Sequence, residues 1–91
     1  MSRERIRDLV IKVLGHYQEI SGRPKTAIVS QTCPLTDLPE FDSLNGMEVT
    51  VEIETELGVE IPEDDVCLDA EGRPIRVEQV VERISQLMNV R

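Results

Sequence analysis

The chain has 91 residues, which suits one small domain spanning 1–91, and carries 18 Asp and Glu against 10 Lys and Arg, a formal net charge of −8. That surplus argues against nucleic acid and anionic membranes, because neutralising phosphates takes clustered cations; a basic protein surface is the natural complement. Apolar residues make up 40% of the chain but Tyr17 and Phe41 are its only aromatics, so the core has to be built from Val, Ile, Leu and Met.

Ile6, Leu9, Val10, Val13, Leu14, Tyr17 and Ile20 recur at spacings that draw one apolar stripe down a helix from about residue 3 to 20. Ser21-Gly22-Arg23-Pro24 ends it. A connection of roughly twenty residues follows, longer than a structureless loop usually runs, with Ile28, Val29, Leu35 and Leu38 as expected anchors onto the core. Asp42-Ser43 caps a second helix that runs to Leu57, with Gly58 as its C′ residue. Ile61-Pro62-Glu63-Asp64-Asp65 is expected to open a short helix, with proline at its first position and acids in its first turn. Asp69 to Pro74 is a turn, and Val77, Val80, Val81, Ile84, Leu87 and Met88 give a last helix its stripe. The expected fold is all-α: an up-and-down bundle of three longer helices and one short one, with a long first loop.

The second helix has two apolar faces. At 100° per residue, Gly46, Val49, Thr50, Ile53 and Leu57 share a core face, while Leu44, Met47 and Val51 fall on the opposite side. Glu48, Glu52 and Glu56 run down one flank and Glu54 sits on the other. Like charges at i, i+4 destabilise a helix by about 0.2–0.5 kcal/mol per pair. Sequence neighbours give no relief, since from Ala27 to Gly72 there are thirteen acids and no Lys or Arg. A charge run is ordinarily a solvated face; an apolar stripe framed by acids instead reads as a docking surface for a partner with cations at the rim and an apolar pocket at the centre.

The stretch from Asp37 through Asp42-Ser43-Leu44 to Glu60-Ile61-Pro62 resembles an acyl carrier protein. In that family an Asp-Ser-Leu motif opens helix II, a glutamate follows five residues after the serine, acids close the helix, and Glu-Ile-Pro opens helix III. Ser43, Glu48, Glu54, Glu56 and Glu60-Ile61-Pro62 stand in that register without a gap. The resemblance is close over about residues 35–68, and the flanking amphipathic helices fit the family's four-helix bundle.

The resemblance implies that Ser43 is an attachment point rather than a nucleophile. A phosphopantetheinyl transferase would place 4′-phosphopantetheine from coenzyme A on its hydroxyl, beside Asp42 of the motif, and the arm's thiol would carry acyl groups as thioesters. Leu44, Met47 and Val51 match the family's partner-facing apolar positions; Glu48 and Glu54 match its acidic contacts, and Glu52 adds to the same acidic rim. The partners implied are that transferase and acyl-transferring or condensing enzymes with basic patches, meeting a monomeric, non-catalytic carrier of fatty-acid, polyketide or another dedicated acyl pathway. Three departures bear on this, one of them the turn from Asp69 to Pro74, which lengthens the connection between the last two helices. The family usually has Asp-Leu-Gly-x-Asp-Ser-Leu, whereas here Asp37-Leu38-Pro39-Glu40-Phe41 precedes Asp42, one residue longer and without the glycine, so Phe41 is expected to extend the partner surface. Asn45 stands where an acid is common, and Gly46 lies inside the helix at a cost of about 1 kcal/mol.

Other chemistries find little support. The chain has no Gly-x-Ser-x-Gly elbow and one histidine, His16, at the edge of the first stripe, so hydrolysis by Ser43 is not expected. Cys33 and Cys67 lie 34 residues apart without zinc-ligand spacing and read as free thiols, and a calcium loop around Gly72 would put Cys67 and Pro74 at ligand positions they cannot serve. No metal is expected. The mixed charges from Met1 to Asp8 and the lack of a long apolar run suggest a cytosolic protein. The rival class is a cofactor-free acidic four-helix adaptor that docks basic partners through the same second helix.

Overall fold

A computed structural model describes residues 2–20, 22 and 27–89. Its helices are α1 (Arg3–Ile20), α2 (Pro34–Asp37), α3 (Ser43–Leu57) and α4 (Val77–Asn89), with no strand among the described residues beyond an isolated bridge between Leu68 and Pro74. α1 packs against both α3 and α4. The core is aliphatic as expected, assembled from Ile6, Val10 and Leu14 of α1, Val49 and Ile53 of α3, and Val77, Val80, Val81 and Ile84 of α4.

The stripe on α1 stops short of its expected end: Ile20 is exposed, and Gln18 is buried in the last turn. Gly22 follows at φ 68, its N–H donating to Glu19 O at 3.2 Å; Ser21, Arg23 and Pro24 of the expected stop lie outside the described residues. Of the four expected anchors in the first connection, Leu38 is buried and Ile28 and Leu35 pack against the core, while Val29 is 56% exposed. The connection is tied to α4 through backbone: Val77 N donates to Thr32 O at 2.8 Å and Glu78 N to Ser30 O at 3.0 Å. Those carbonyls satisfy donors that a helix start leaves open.

The short helix stands in a different place from the expected one. Residues 61–65 form no helix, with bends at 62–64, because side chains take N–H groups of the segment 61–67. Ile61 N donates to Glu54 Oε2 at 2.7 Å, Val66 N to Thr50 Oγ1 at 2.8 Å, and Cys67 N to Asp65 Oδ1 at 2.9 Å. Burial of Ile61, Val66 and Cys67 then pins it. The short helix is α2, inside the first connection. Pro34 stands at its start, and Asp37 reaches back to accept from Cys33 N at 2.8 Å, which satisfies one open donor.

Both cysteines are free, Cys67 buried and Cys33 half-buried. Burial pushes the Cys67 thiol up to about 12. It therefore behaves as a small apolar side chain.

Candidate functional site

The site is built on the first turn of α3. Asp42 is its N-cap: one carboxylate oxygen accepts from Asn45 N at 3.1 Å, and Asp42 N donates back to Asn45 Oδ1 at 3.2 Å. This reciprocal box satisfies two donors at once and gives a role to the asparagine that replaces an acid. Ser43 is the first helical residue, exposed, and no described residue hydrogen-bonds its hydroxyl. A single carbon-bound oxygen stands free where the helix dipole is positive, on a turn held rigid by the cap.

Below that turn lies a support that sequence patterning did not reveal. Asp65 is only 7% exposed. Its carboxylate fills the space beside Gly46, and any side chain at 46 would run into it. One turn on, the buried Thr50 hydroxyl donates to Gly46 O at 2.8 Å while accepting from Val66 N. The segment after α3 is thus clasped to the Ser43 end of the helix by Thr50 and Asp65. Burial pushes the Asp65 carboxyl above its ordinary range, opposed by the hydrogen bond from Cys67 N, and its Oδ2 has no partner among the described residues. A glycine inside a helix was the one sequence signal of such a close approach.

The two faces of α3 separate as the wheel predicts. Gly46, Val49, Thr50 and Ile53 are buried, whereas Leu44, Met47 and Val51 are 63%, 44% and 60% exposed. Phe41 does not join that stripe. It is 5% exposed and packs in the core, because Glu40 before it turns into the left-handed region at φ 55 and sends the ring inward. Glu40 adopts a backbone that side chains disfavour, in the loop where the family's usual glycine is missing.

The acids divide as well. Glu54 Oε2 closes the turn after α3 by accepting from Ile61 N, so the residue has an internal task. Glu48 is exposed and accepts from Asn45 Nδ2 at 3.3 Å. Its backbone carbonyl accepts from Tyr17 Oη at 3.3 Å, which ties α3 to α1. Glu52 is half-buried on the α1 side.

A family model described as "Phosphopantetheine attachment site" matches residues 4–71. The chain belongs to the acyl carrier protein family. Its prosthetic group is 4′-phosphopantetheine, held covalently. A curated relative, the mitochondrial acyl carrier protein of Dictyostelium discoideum, is 34% identical over 67 residues, which cover 71% of this chain and 50% of that protein. The chain thus spans about half the length of the curated relative it matches. No solved structure matches it. A carrier domain implies partner enzymes. No described helix is long and apolar enough to cross a membrane, and among the described residues no group of His, Cys, Asp and Glu is arranged to hold a metal ion.

Proposed function

We propose that Ser43 bears the 4′-phosphopantetheine arm and that residues 1–91 act as one non-catalytic carrier, presenting acyl groups to enzymes of a dedicated acyl-transfer pathway. The observation that carries this reading is the free, exposed Ser43 hydroxyl on the capped first turn of α3, beside an unpartnered apolar stripe. Bound there through a phosphodiester, the arm supplies a terminal thiol that holds an acyl group as a thioester. The chain's own contribution is positional. The N-terminal dipole favours the anion, the Asp42–Asn45 box fixes the turn, and Leu44, Met47 and Val51, with Glu48 and Glu52 at the rim, give a basic partner an apolar centre and an acidic border.

Co-expression with a phosphopantetheinyl transferase followed by intact-mass measurement tests it. The chain should gain one arm and Ser43→Ala should gain none; an unchanged mass with several permissive transferases would favour the cofactor-free adaptor. In the same assay Glu48→Lys and Met47→Ala slow loading while the helical circular dichroism is kept, since both side chains point away from the core. A cytosolic location stands as a proposal beside the mitochondrial one in the relative's name, and cell fractionation decides between them.

A further inference from the structure

An alkyl chain held as a thioester on an arm at Ser43 is driven out of water toward the nearest apolar interior. That interior is the core beneath α3, where Val49 and Ile53 are buried. On the way to it a surface groove of about 310 Å³ runs between Met47 and Val51 of α3 and Ile61 and Pro62 beyond the helix. It is within reach of the arm, since Met47 and Val51 stand about 6 and 12 Å along the axis from Ser43 at 1.5 Å per residue.

The groove ends on Thr50, which is 2% exposed and whose hydroxyl is already committed, donating to Gly46 O and accepting from Val66 N. One turn nearer Ser43, the Asp65 carboxylate occupies the space that a Cβ at Gly46 would take. The segment is also fastened at its far end, where the largely buried Arg83 of α4 donates to Leu68 O at 2.6 Å and stands 3.7 Å from Glu63. Residues 61–68 are thus bolted across from α3 to α4. An alkyl chain passing inward here would separate Val66 N and Cys67 N from their acceptors and lie against a carboxylate whose Oδ2 has no partner among the described residues. Methylene groups offer none of these atoms a hydrogen bond, so the entry penalises the chain that the core would otherwise attract.

Resting on Ser43 as the point of attachment, we propose that the clasp made by Thr50 and Asp65 keeps the acyl group outside the bundle, so that the carrier takes short acyl groups rather than long alkyl chains. A short acyl group loses little by staying in the groove beside Met47 and Val51. Each further methylene of a longer chain adds apolar surface with no interior to enter. A partner that docks on α3 then takes the group directly from the surface, without the bundle having to open.

Loading the ¹⁵N-labelled full chain by a phosphopantetheinyl transferase from acetyl- and from octanoyl-coenzyme A, with intact mass confirming each product, gives two forms to compare by nuclear magnetic resonance and urea unfolding. Relative to the acetyl form, the octanoyl form should shift amides of residues 43–51 and 60–64, leave those of Val10, Ile53, Val80 and Ile84 in place, and unfold at the same urea concentration. Octanoyl-dependent shifts at those core residues, or a higher octanoyl midpoint, overturn the proposal. Asp65→Ala clears the space beside Gly46; in that variant the octanoyl form should unfold at a higher urea concentration than the acetyl form. Asp65→Asn keeps the shape and should exclude the chain as the parent does. Equal midpoints in a folded Asp65→Ala chain overturn the role given to the clasp, and if that variant does not fold, the parent comparison decides by itself. A chain that gains no mass from either donor overturns the Ser43 reading and this one with it, whereas a loaded chain with its octanoyl group in the core overturns this one alone.

Discussion

The two connections that flank α3 hold it in different ways. The one before it is anchored by apolar burial, with Leu38 and Phe41 in the core and a turn at Glu40 that aims the ring inward. The one after it also buries Ile61, Val66 and Cys67 but adds side-chain hydrogen bonds, with Thr50, Glu54 and Asp65 each accepting a backbone N–H of residues 61–67. The difference teaches that Ser43 sits on a helix clasped from both sides, by packing at its entry and by hydrogen bonds along its buried flank. It also explains Gly46, which makes room for the Asp65 carboxylate.

That contrast can be broken most severely at Phe41. Phe41→Ala should cost about 3–5 kcal/mol in urea unfolding, as for other buried rings, and a loss under 1 kcal/mol would show that the ring does not pack. Thr50→Val keeps the shape and removes the acceptor, leaving Val66 N unpaired; the expected loss is about 1–3 kcal/mol, with protease sensitivity rising around residues 61–67. Glu40→Gly should raise the unfolding free energy by roughly 1 kcal/mol, because glycine adopts φ 55 without penalty; a loss of stability would mean that Glu40 makes an offsetting contact.

The smallest effect is one of pH. The Asp65 carboxyl is raised above its ordinary 3.8, so the folded state binds the proton more tightly than the unfolded one. Its contribution to stability is fully present below 3.8, declines as pH rises through the raised value, and stays lost above it. Asp65→Asn should remove that decline, so its stability relative to the parent should be higher at pH 7 than at pH 4 in urea titrations. An equal difference at both pH values would place the ordinary carboxyl environment at Asp65.

Three elements of the fold were legible because each is a matter of local period or local capping: the stripe on α1, the span of α3 from Asp42 to Gly58, and the stripe on α4. The two faces of α3 were legible for the same reason. The short helix was misplaced because Ile61-Pro62-Glu63 carries a helix-start pattern whose donors are taken by side chains distant in sequence, Glu54 and Thr50. Asp37 four residues after Cys33 was the unused signal for α2. Phe41 was assigned to the surface because nothing in a one-residue loop extension says which way the ring turns; the left-handed backbone at Glu40 decides that.

By itself the sequence determined the helical periodicities, the cap that begins α3, the second apolar stripe and the family register around Ser43, since all of these depend on residues within a few turns of one another. Only the tertiary structure decided where the surplus of acid acts. It turns Asp65 into the molecule beside Gly46, commits Glu54 to a backbone donor, sets Glu52 and Glu56 on a groove shared with α1, and leaves Glu48 at the exposed rim. The physical reason is that a charge is satisfied by whatever stands nearest in space, and the order of residues along the chain does not fix that.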